Sequence, residues 1–371
     1  MRKTLIANFI VISIIFISGC SNGTSKLPSY HAPDNPAFRY TGRIDFNNPL
    51  NPKLISAGSY IQFGFKGTSC DLRVKDQHLY NENYNYLSIV IDGEYKGRIS
   101  LKNDSAIYKI AENLENKNHT TLICKATEAS IGYVEFSGVN CSELIPVSNI
   151  PARKIEFIGN SITCGMGLDL TGVPCDSGKW FDQHNAYLAY GPLASRRLNA
   201  DWLLSSVSGL GVFRNWNSPG PTLPMVYQNL YLNTDSTMRF DVRTFKPDLI
   251  SICLGTNDFS DGDGSYKRTE LDSAVFVEHY INFVKYIRHH NPQARICCLT
   301  SPMNSGEKND KLKSYISAVV NHMQQAEKDE KINMFAFTTA YINGCGYHPD
   351  ERDHQMMADD LIPFYKSTMG W

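Results

Sequence analysis

Four short segments carry residue types that could together perform acyl transfer. Gly159-Asn160-Ser161-Ile162-Thr163 offers a hydroxyl, and Ser208-Gly209-Leu210-Gly211 and Gly255-Thr256-Asn257-Asp258 offer hydrogen-bond donors. His348-Pro349-Asp350 offers an imidazole. A serine hydroxyl is a weak nucleophile at its own pKa and needs a base within hydrogen-bond reach. His348 is the candidate base, able to take the Ser161 proton and return it to the departing oxygen. The N–H groups of Ser161 and Gly209 and the side-chain amide of Asn257 are the candidate oxyanion hole, serving a charge that develops only in the transition state. Gly211 is the alternative to Gly209. His354 is the rival to His348 among ten histidines. Asn160 reads as loop support.

These residues sit after apolar runs that read as strands. The runs are Ile155 to Ile158, Trp202 to Val207, Leu249 to Leu254, Ile296 to Leu299 and Ile332 to Phe337. Between them lie amphipathic helical patterns over Ala186 to Leu198, Ala274 to Ile287 and Leu312 to Ala326, and Met356 to Met369 closes the chain as a helix. Strands alternating with helices imply an α/β domain with a parallel sheet covered on both faces, in three α/β/α layers. Active sites in such sheets gather beyond the carboxyl ends of the strands, where the four segments fall.

From about Phe38 to Val147 the apolar residues alternate with period two, as in Ile61, Phe63 and Phe65 or Leu87, Ile89 and Ile91. Asp92-Gly93 marks a tight hairpin turn. This half reads as an antiparallel β-sandwich of the jelly-roll kind. Ahead of it, Arg2 and Lys3 precede an uncharged apolar run from Thr4 to Phe16 that ends in Ile17-Ser18-Gly19-Cys20. The run suits a signal peptide and is short for a spanning helix. Its end resembles the bacterial lipobox, which makes Cys20 a lipidation site and places the chain in the bacterial envelope, facing the periplasm or the cell surface. The expected division is a leader over 1–19, a lipidated Cys20 and tether over 20–35, the β-sandwich over 36–150 and the α/β domain over 151–371.

Four blocks in this order resemble the SGNH, or GDSL-type, hydrolase superfamily. The Ile-Glu-Phe-Ile-Gly-Asn-Ser-Ile-Thr-Cys-Gly stretch, the ending His-Pro-x-x-x-x-His-Gln-x-Met-Ala and the β-rich first half resemble carbohydrate esterase family 2. That resemblance implies a jelly roll fused to a serine ester hydrolase that removes acetyl groups from plant polysaccharide of the xylan or glucomannan type. Many superfamily members carry Asp three residues before the histidine; here that position is Cys345. The expectation is therefore a Ser–His dyad whose ring N–H goes to a backbone carbonyl, with Asp350, Glu351 and Asp353 as substitutes that also suit the cap of the last helix. Trp216 and Phe213 are the candidate substrate-binding aromatics, with Trp180 in a nearby loop. Other readings are an SGNH lipase or thioesterase, and a noncatalytic carbohydrate-binding lipoprotein.

The remaining features restrict the classes. The 371 residues carry 36 Lys+Arg against 37 Asp+Glu, a net charge of −1 that argues against a nucleic-acid partner. No Cys-x-x-Cys, His-Glu-x-x-His, Gly-x-Gly-x-x-Gly or Walker sequence occurs, so no metal or nucleotide site is expected, and the chemistry needs no cofactor. The chain reads as a monomer that meets the membrane only through its anchor. Cys20 leaves nine cysteines. Cys164 and Cys175 flank a short loop and are candidates for a disulfide; Cys70, Cys124 and Cys141 offer one pair in the β-domain; Cys253, Cys297 and Cys298 read as buried thiols.

Overall fold

A computed structural model describes residues 28–103 and 105–371. The leader, Cys20 and the tether up to residue 27 lie outside the described residues. Among those described, no helix is long and apolar enough to cross a membrane.

The first domain is an antiparallel ten-stranded sheet folded around its own core. Its spine is Tyr60–Asp76, seventeen residues long, which pairs with Lys117–Lys125, Ile107–Ala111, Arg39–Thr41 and Val134–Ile145. Inward-facing Phe63, Phe65, Leu72 and Phe136 fill the core with Phe38. The expected hairpin is present: Tyr86–Ile91 returns as Glu94–Ser100, with Asp92 at φ 54° and Gly93 at φ 81°. Positive φ at both positions matches the turn's twist to that of the strands. Cys70 and Cys141 face each other across the pair of long strands, but both are buried free thiols, as is Cys124 on Lys117–Lys125.

The second domain holds five parallel strands in the spatial order Ala200–Ser206, Arg153–Gly159, Leu249–Cys253, Arg295–Leu299, Ile332–Phe335. All five residues of Leu249–Cys253 are buried, as a strand covered on both faces requires. Helices Ser273–His290 and Gly306–Gln325 cover one face; Tyr190–Arg197 and Glu351–Met369 pack together on the other.

The expected helix from Ala186 is broken. Ala186–Leu188 is a single 3-10 turn, Ala189 is extended (ψ 156°), and the α-helix begins only at Tyr190. Pro192 is the reason: it has no N–H to donate, and its ring would strike the carbonyl of residue 188 in a continuous helix. The closing helix starts five residues earlier than its apolar pattern, at Glu351, because Asp350 and Asp353 form a reciprocal capping box.

The two domains share one interior. Tyr60, Val90 and Cys124 of the first pack with Tyr187, Trp202 and Ile155 of the second. Arg43 crosses fully buried, donating to the Asn229 carbonyl and to Ser205 Oγ, both at 3.0 Å, with its guanidinium 4.2 Å from the Phe240 ring centroid. Tyr60 donates to Asp201 Oδ1 at 2.7 Å, and Arg98 Nε lies 2.7 Å from Asp169 Oδ2.

Candidate active site

Strand Arg153–Gly159 ends in a sharp turn at Asn160 and runs into the four-residue helix Ser161–Cys164. Asn160 Oδ1 accepts the Ile162 N–H at 3.3 Å, which is the loop support expected of it. The helix stops at Gly165, whose φ of 75° only glycine adopts freely. This strand–turn–helix holds Ser161 at the edge of the interior, 5% exposed.

His348 reaches Ser161 from the far end of the chain. Its Nε2 lies 2.8 Å from Ser161 Oγ, and its Nδ1 lies 3.0 Å from the Gly346 carbonyl. A carbonyl can only accept, so Nδ1 carries the proton and Nε2 is left free to accept the serine hydroxyl. Among the described residues, no carboxylate makes a hydrogen bond or ion pair with the ring. Asp350 Oδ1 accepts the Asp353 N–H at 2.8 Å, and Asp353 accepts from the Asn343 backbone at 2.9 Å and its amide at 2.8 Å. Both acids are therefore committed to the helix cap and the loop before it, and Glu351 lies in that helix's first turn. Burial pushes the His348 imidazole down to about 4, against the opposing pull of the Gly346 hydrogen bond. His354 is fully buried, accepts the Tyr190 N–H at Nδ1 (3.1 Å) and stacks on the Tyr190 ring; burial lowers it to about 3. It is a structural histidine that starts helix Tyr190–Arg197.

The loop carrying His348 is held by means the sequence did not reveal. Cys345 is bonded to Cys175, 170 positions away, and its N–H donates to the Gly167 carbonyl at 3.0 Å. A Cβ on Gly167 would stand 2.5 Å from the Cys345 carbonyl and 3.0 Å from His348 Cβ, so glycine is required there. The expected pairing of Cys164 with Cys175 is overturned. Cys164 ends the helix that begins at Ser161, is fully buried and points at Ser206 Oγ (3.1 Å). Burial raises its thiol well above the usual range.

The donor segments converge on the same spot. Gly209 follows strand Ala200–Ser206 at φ 77°, and its carbonyl accepts the Trp216 N–H at 2.8 Å. Gly211, the alternative, spends its N–H on Asn215 Oδ1 at 3.1 Å. Asn257 lies in the helical turn Thr256–Phe259 and gives one amide hydrogen to the Leu210 carbonyl at 2.8 Å. Its second hydrogen remains for a ligand. Asp258 was missed: buried, it accepts the N–H groups of Val212, Phe213 and Arg214 at 3.1, 2.8 and 2.9 Å and shapes the loop after Gly209. Its signal was a lone acid just past a buried strand, with no pattern to tell a loop organiser from a surface group.

Ser161, Gly209, Asn257 and His348 line one cavity of about 670 Å³. Trp216, Trp180, Tyr347, Met166, Met303 and Ser208 are also on its wall. Trp216 and Trp180 are 39% and 47% exposed. Tyr347, exposed beside His348, went unnoticed in the sequence, although its place next to the histidine was visible there. Phe213 is not on the wall. Its ring packs against His279 (centroids 5.2 Å) because the Asp258 contact turns that stretch toward helix Ser273–His290.

A serine with a histidine on its hydroxyl, at the strand ends of a parallel α/β sheet, defines the class of serine hydrolases. Comparison with known proteins makes the assignment particular. Residues 157–362 match the GDSL-like lipase/acylhydrolase family, and residues 40–151 match the carbohydrate esterase 2 N-terminal family. The cellulase/esterase CelE of Acetivibrio thermocellus is 32% identical over 91% of this chain, which spans 40% of that protein's length. An acetylxylan esterase / glucomannan deacetylase of Cellvibrio japonicus is 26% identical over 89% of this chain and 90% of its own. The structure of a family two carbohydrate esterase from Clostridium thermocellum, in complex with cellohexaose, superposes with a TM-score of 0.81 at 30% identity, covering 90% of this chain and 99% of that one. The chain belongs to carbohydrate esterase family 2, within the GDSL-like hydrolases, a family of carboxylic-ester hydrolases.

Proposed function

We propose that this chain is a carbohydrate O-acetyl esterase acting on plant polysaccharide or oligosaccharide of the xylan or glucomannan type. The observation that carries the reading is the 2.8 Å contact of His348 Nε2 with Ser161 Oγ inside a cavity roomy enough for an acetylated sugar. Ser161 Oγ attacks the acetyl carbonyl while His348 takes its proton. The resulting oxyanion is met by the N–H groups of Ser161 and Gly209 and by the Asn257 amide. His348 returns the proton to the sugar oxygen as the ester bond breaks, leaving an acetyl group on Ser161. A water, deprotonated by His348, then releases acetate and restores the hydroxyl. Trp216 and Trp180 offer faces for the sugar's C–H surface. No step needs a cofactor.

The test is acetate release from acetylated xylan and glucomannan by the wild type and by Ser161→Ala. The variant is expected to lose on the order of 10⁴–10⁶-fold in kcat. No release by the wild type on any acetyl ester sinks the esterase reading, and equal release by both sinks Ser161 as nucleophile.

The same proposal covers the cell address: a monomer held in the bacterial envelope by lipid on Cys20. Two or more acyl chains give stable attachment. Cys20→Ser is expected to move the protein from the membrane pellet to the soluble fraction; an unchanged pellet refutes the anchor.

A further inference from the structure

One fully buried carboxylate near the cavity has no part in the chemistry above. Glu128 belongs to the first domain, immediately before the 3-10 turn Ala129–Ile131, and has no solvent exposure. Its main partners are in the second domain. The Ser208 N–H donates to Oε2 at 3.1 Å and Oε1 at 3.3 Å, and the Ser208 hydroxyl donates to Oε2. His184 Nε2 faces Oε2 at 3.5 Å. From its own turn, the Ser130 hydroxyl donates to Oε1. Behind the carboxylate, Lys125 Nζ donates to the carbonyls of Thr127 and Glu128, both at 2.9 Å, which fixes the turn's backbone.

An unpaired buried carboxylate costs several kcal/mol, so a group in this position persists only if its partners offset that cost. Burial works against the charge, yet the contacts with His184, Ser130 and Ser208 hold the Glu128 carboxyl down at about 2. At that value the carboxyl is ionised at any working pH.

The bland reading is an interdomain tie, like Arg43 or Arg98. The place of the grip separates Glu128 from both. Arg43 reaches Ser205 and Asn229, and Arg98 reaches Asp169, Asp182 and His184; none of these five lines the cavity. Ser208 lines it and directly precedes Gly209. The peptide that carries the Gly209 N–H therefore starts at a residue clamped by the carboxylate. On the other side, the Gly209 carbonyl is tied to the Trp216 N–H. Nothing would contact a Cβ placed on Gly209, and its φ of 77° lies where glycine is least restrained. The Cβ side of this residue is open, which leaves the hydrogen bonds on either side to hold the direction of its N–H.

We infer that Glu128 is a positioning residue for the oxyanion loop: a carboxylate of the accessory domain that grips Ser208 and thereby aims the Gly209 N–H into the cavity of the hydrolase domain. The active site is then incomplete without the first domain. This rests on the esterase reading above and adds to it a residue outside the four blocks.

The experiment compares full-length wild type, Glu128→Gln, Ser208→Ala and the double variant on p-nitrophenyl acetate and acetylated xylan, well below the melting temperature. Glutamine keeps the shape but loses the charge and one acceptor. Losing an oxyanion donor outright costs about 10²–10³ in kcat, so misaiming one should cost about ten- to a hundredfold, with KM held within about twofold. Ser208→Ala should fall in the same range. The double variant should be no worse than the poorer single, since both act through one loop. Full kcat in a cooperatively melting Glu128→Gln overturns the inference, as does a KM rise with kcat untouched. Should Glu128→Gln fail to fold, unchanged kcat in Ser208→Ala overturns it. A wild type without acetate release sinks the esterase reading and this inference together; an active wild type matched by Glu128→Gln sinks this inference alone.

Discussion

Ser161 and His348 meet at 2.8 Å but are held by different kinds of structure. The serine stands at the end of a parallel strand, on a helical turn with every residue buried, capped by its neighbour Asn160. The histidine stands on a loop in which Gly346 and Tyr347 both have positive φ and Tyr347 is exposed to solvent. Around the serine, regular hydrogen bonding and packing leave no freedom to remove. Around the histidine, one disulfide, one backbone carbonyl and a glycine backed against its Cβ perform the task that an acid performs in a triad. A catalytic pair can thus be rigid on one side through secondary structure and on the other through a few point attachments.

The comparison can be broken at four places. On the serine side, Asn257→Ala removes a donor held by a strand end, and kcat should fall by about 10²–10³ with KM little changed. A loss below about threefold would mean that this side does not rely on its rigid donors.

On the histidine side, the paired change Cys175→Ser with Cys345→Ser frees the loop. The expected loss is about ten- to a hundredfold in kcat, as for a catalytic group displaced by about 1 Å, with a lower melting temperature. Activity rescued by Cys345→Asp with Cys175→Ser would show that bond and acid are interchangeable supports. Full activity in the serine pair would place the support elsewhere.

The pH profile reads the same loop. The proposed mechanism needs neutral His348, and its pKa is depressed by burial to about 4. The neutral form is therefore present above that value, and kcat/KM should hold from pH 7 down through 5.5, then fall as the pH approaches 4. A half-loss near 6.5 would mean that burial does not depress the imidazole, and one well above 6.5 that a negative charge stabilises the imidazolium, as a triad acid does.

The smallest effect is expected at Asp350→Ala. Losing this cap should cost about 1 kcal/mol, a few degrees of melting temperature, and leave kcat within about twofold. Abolished turnover in a folded Asp350→Ala protein would return the acid to the mechanism and remove the difference between the two sides.

The same contrast explains what could be read from the sequence. Ser161, Gly209 and Asn257 were legible because an apolar run followed by small polar residues marks a strand end, and strand ends in such a sheet converge. His348 was legible through the His-Pro pair before a helix. Its support was not: a carbonyl has no side-chain signature, and the partner of Cys345 lies 170 positions away. Proximity along the chain pointed to Cys164, which burial withholds. Phe213 and Trp216 looked alike as loop aromatics, and only the three N–H bonds to Asp258 decide which one turns inward. Glu128 was beyond reach because its main partners, Ser208 and His184, belong to the other domain. Element boundaries slipped where a single residue overrode periodicity, as Pro192 does for the helix that begins at Tyr190.

The Cys175–Cys345 bond also has a consequence in time. Cys345 follows Cys175 by 170 positions, so in a chain delivered N-terminus first it comes well after Cys175. Throughout that interval Cys175 has a nearer sulfur for company, Cys164, only eleven positions back. The two strands flanking the one that leads into Cys164, Ala200–Ser206 and Leu249–Cys253, are both complete long before Cys345 is made. Their closure seals Cys164 inside, against Ser206. A chain that closes these strands before Cys345 arrives has its wrong partner already out of reach, so arrival order as well as distance favours the correct pairing.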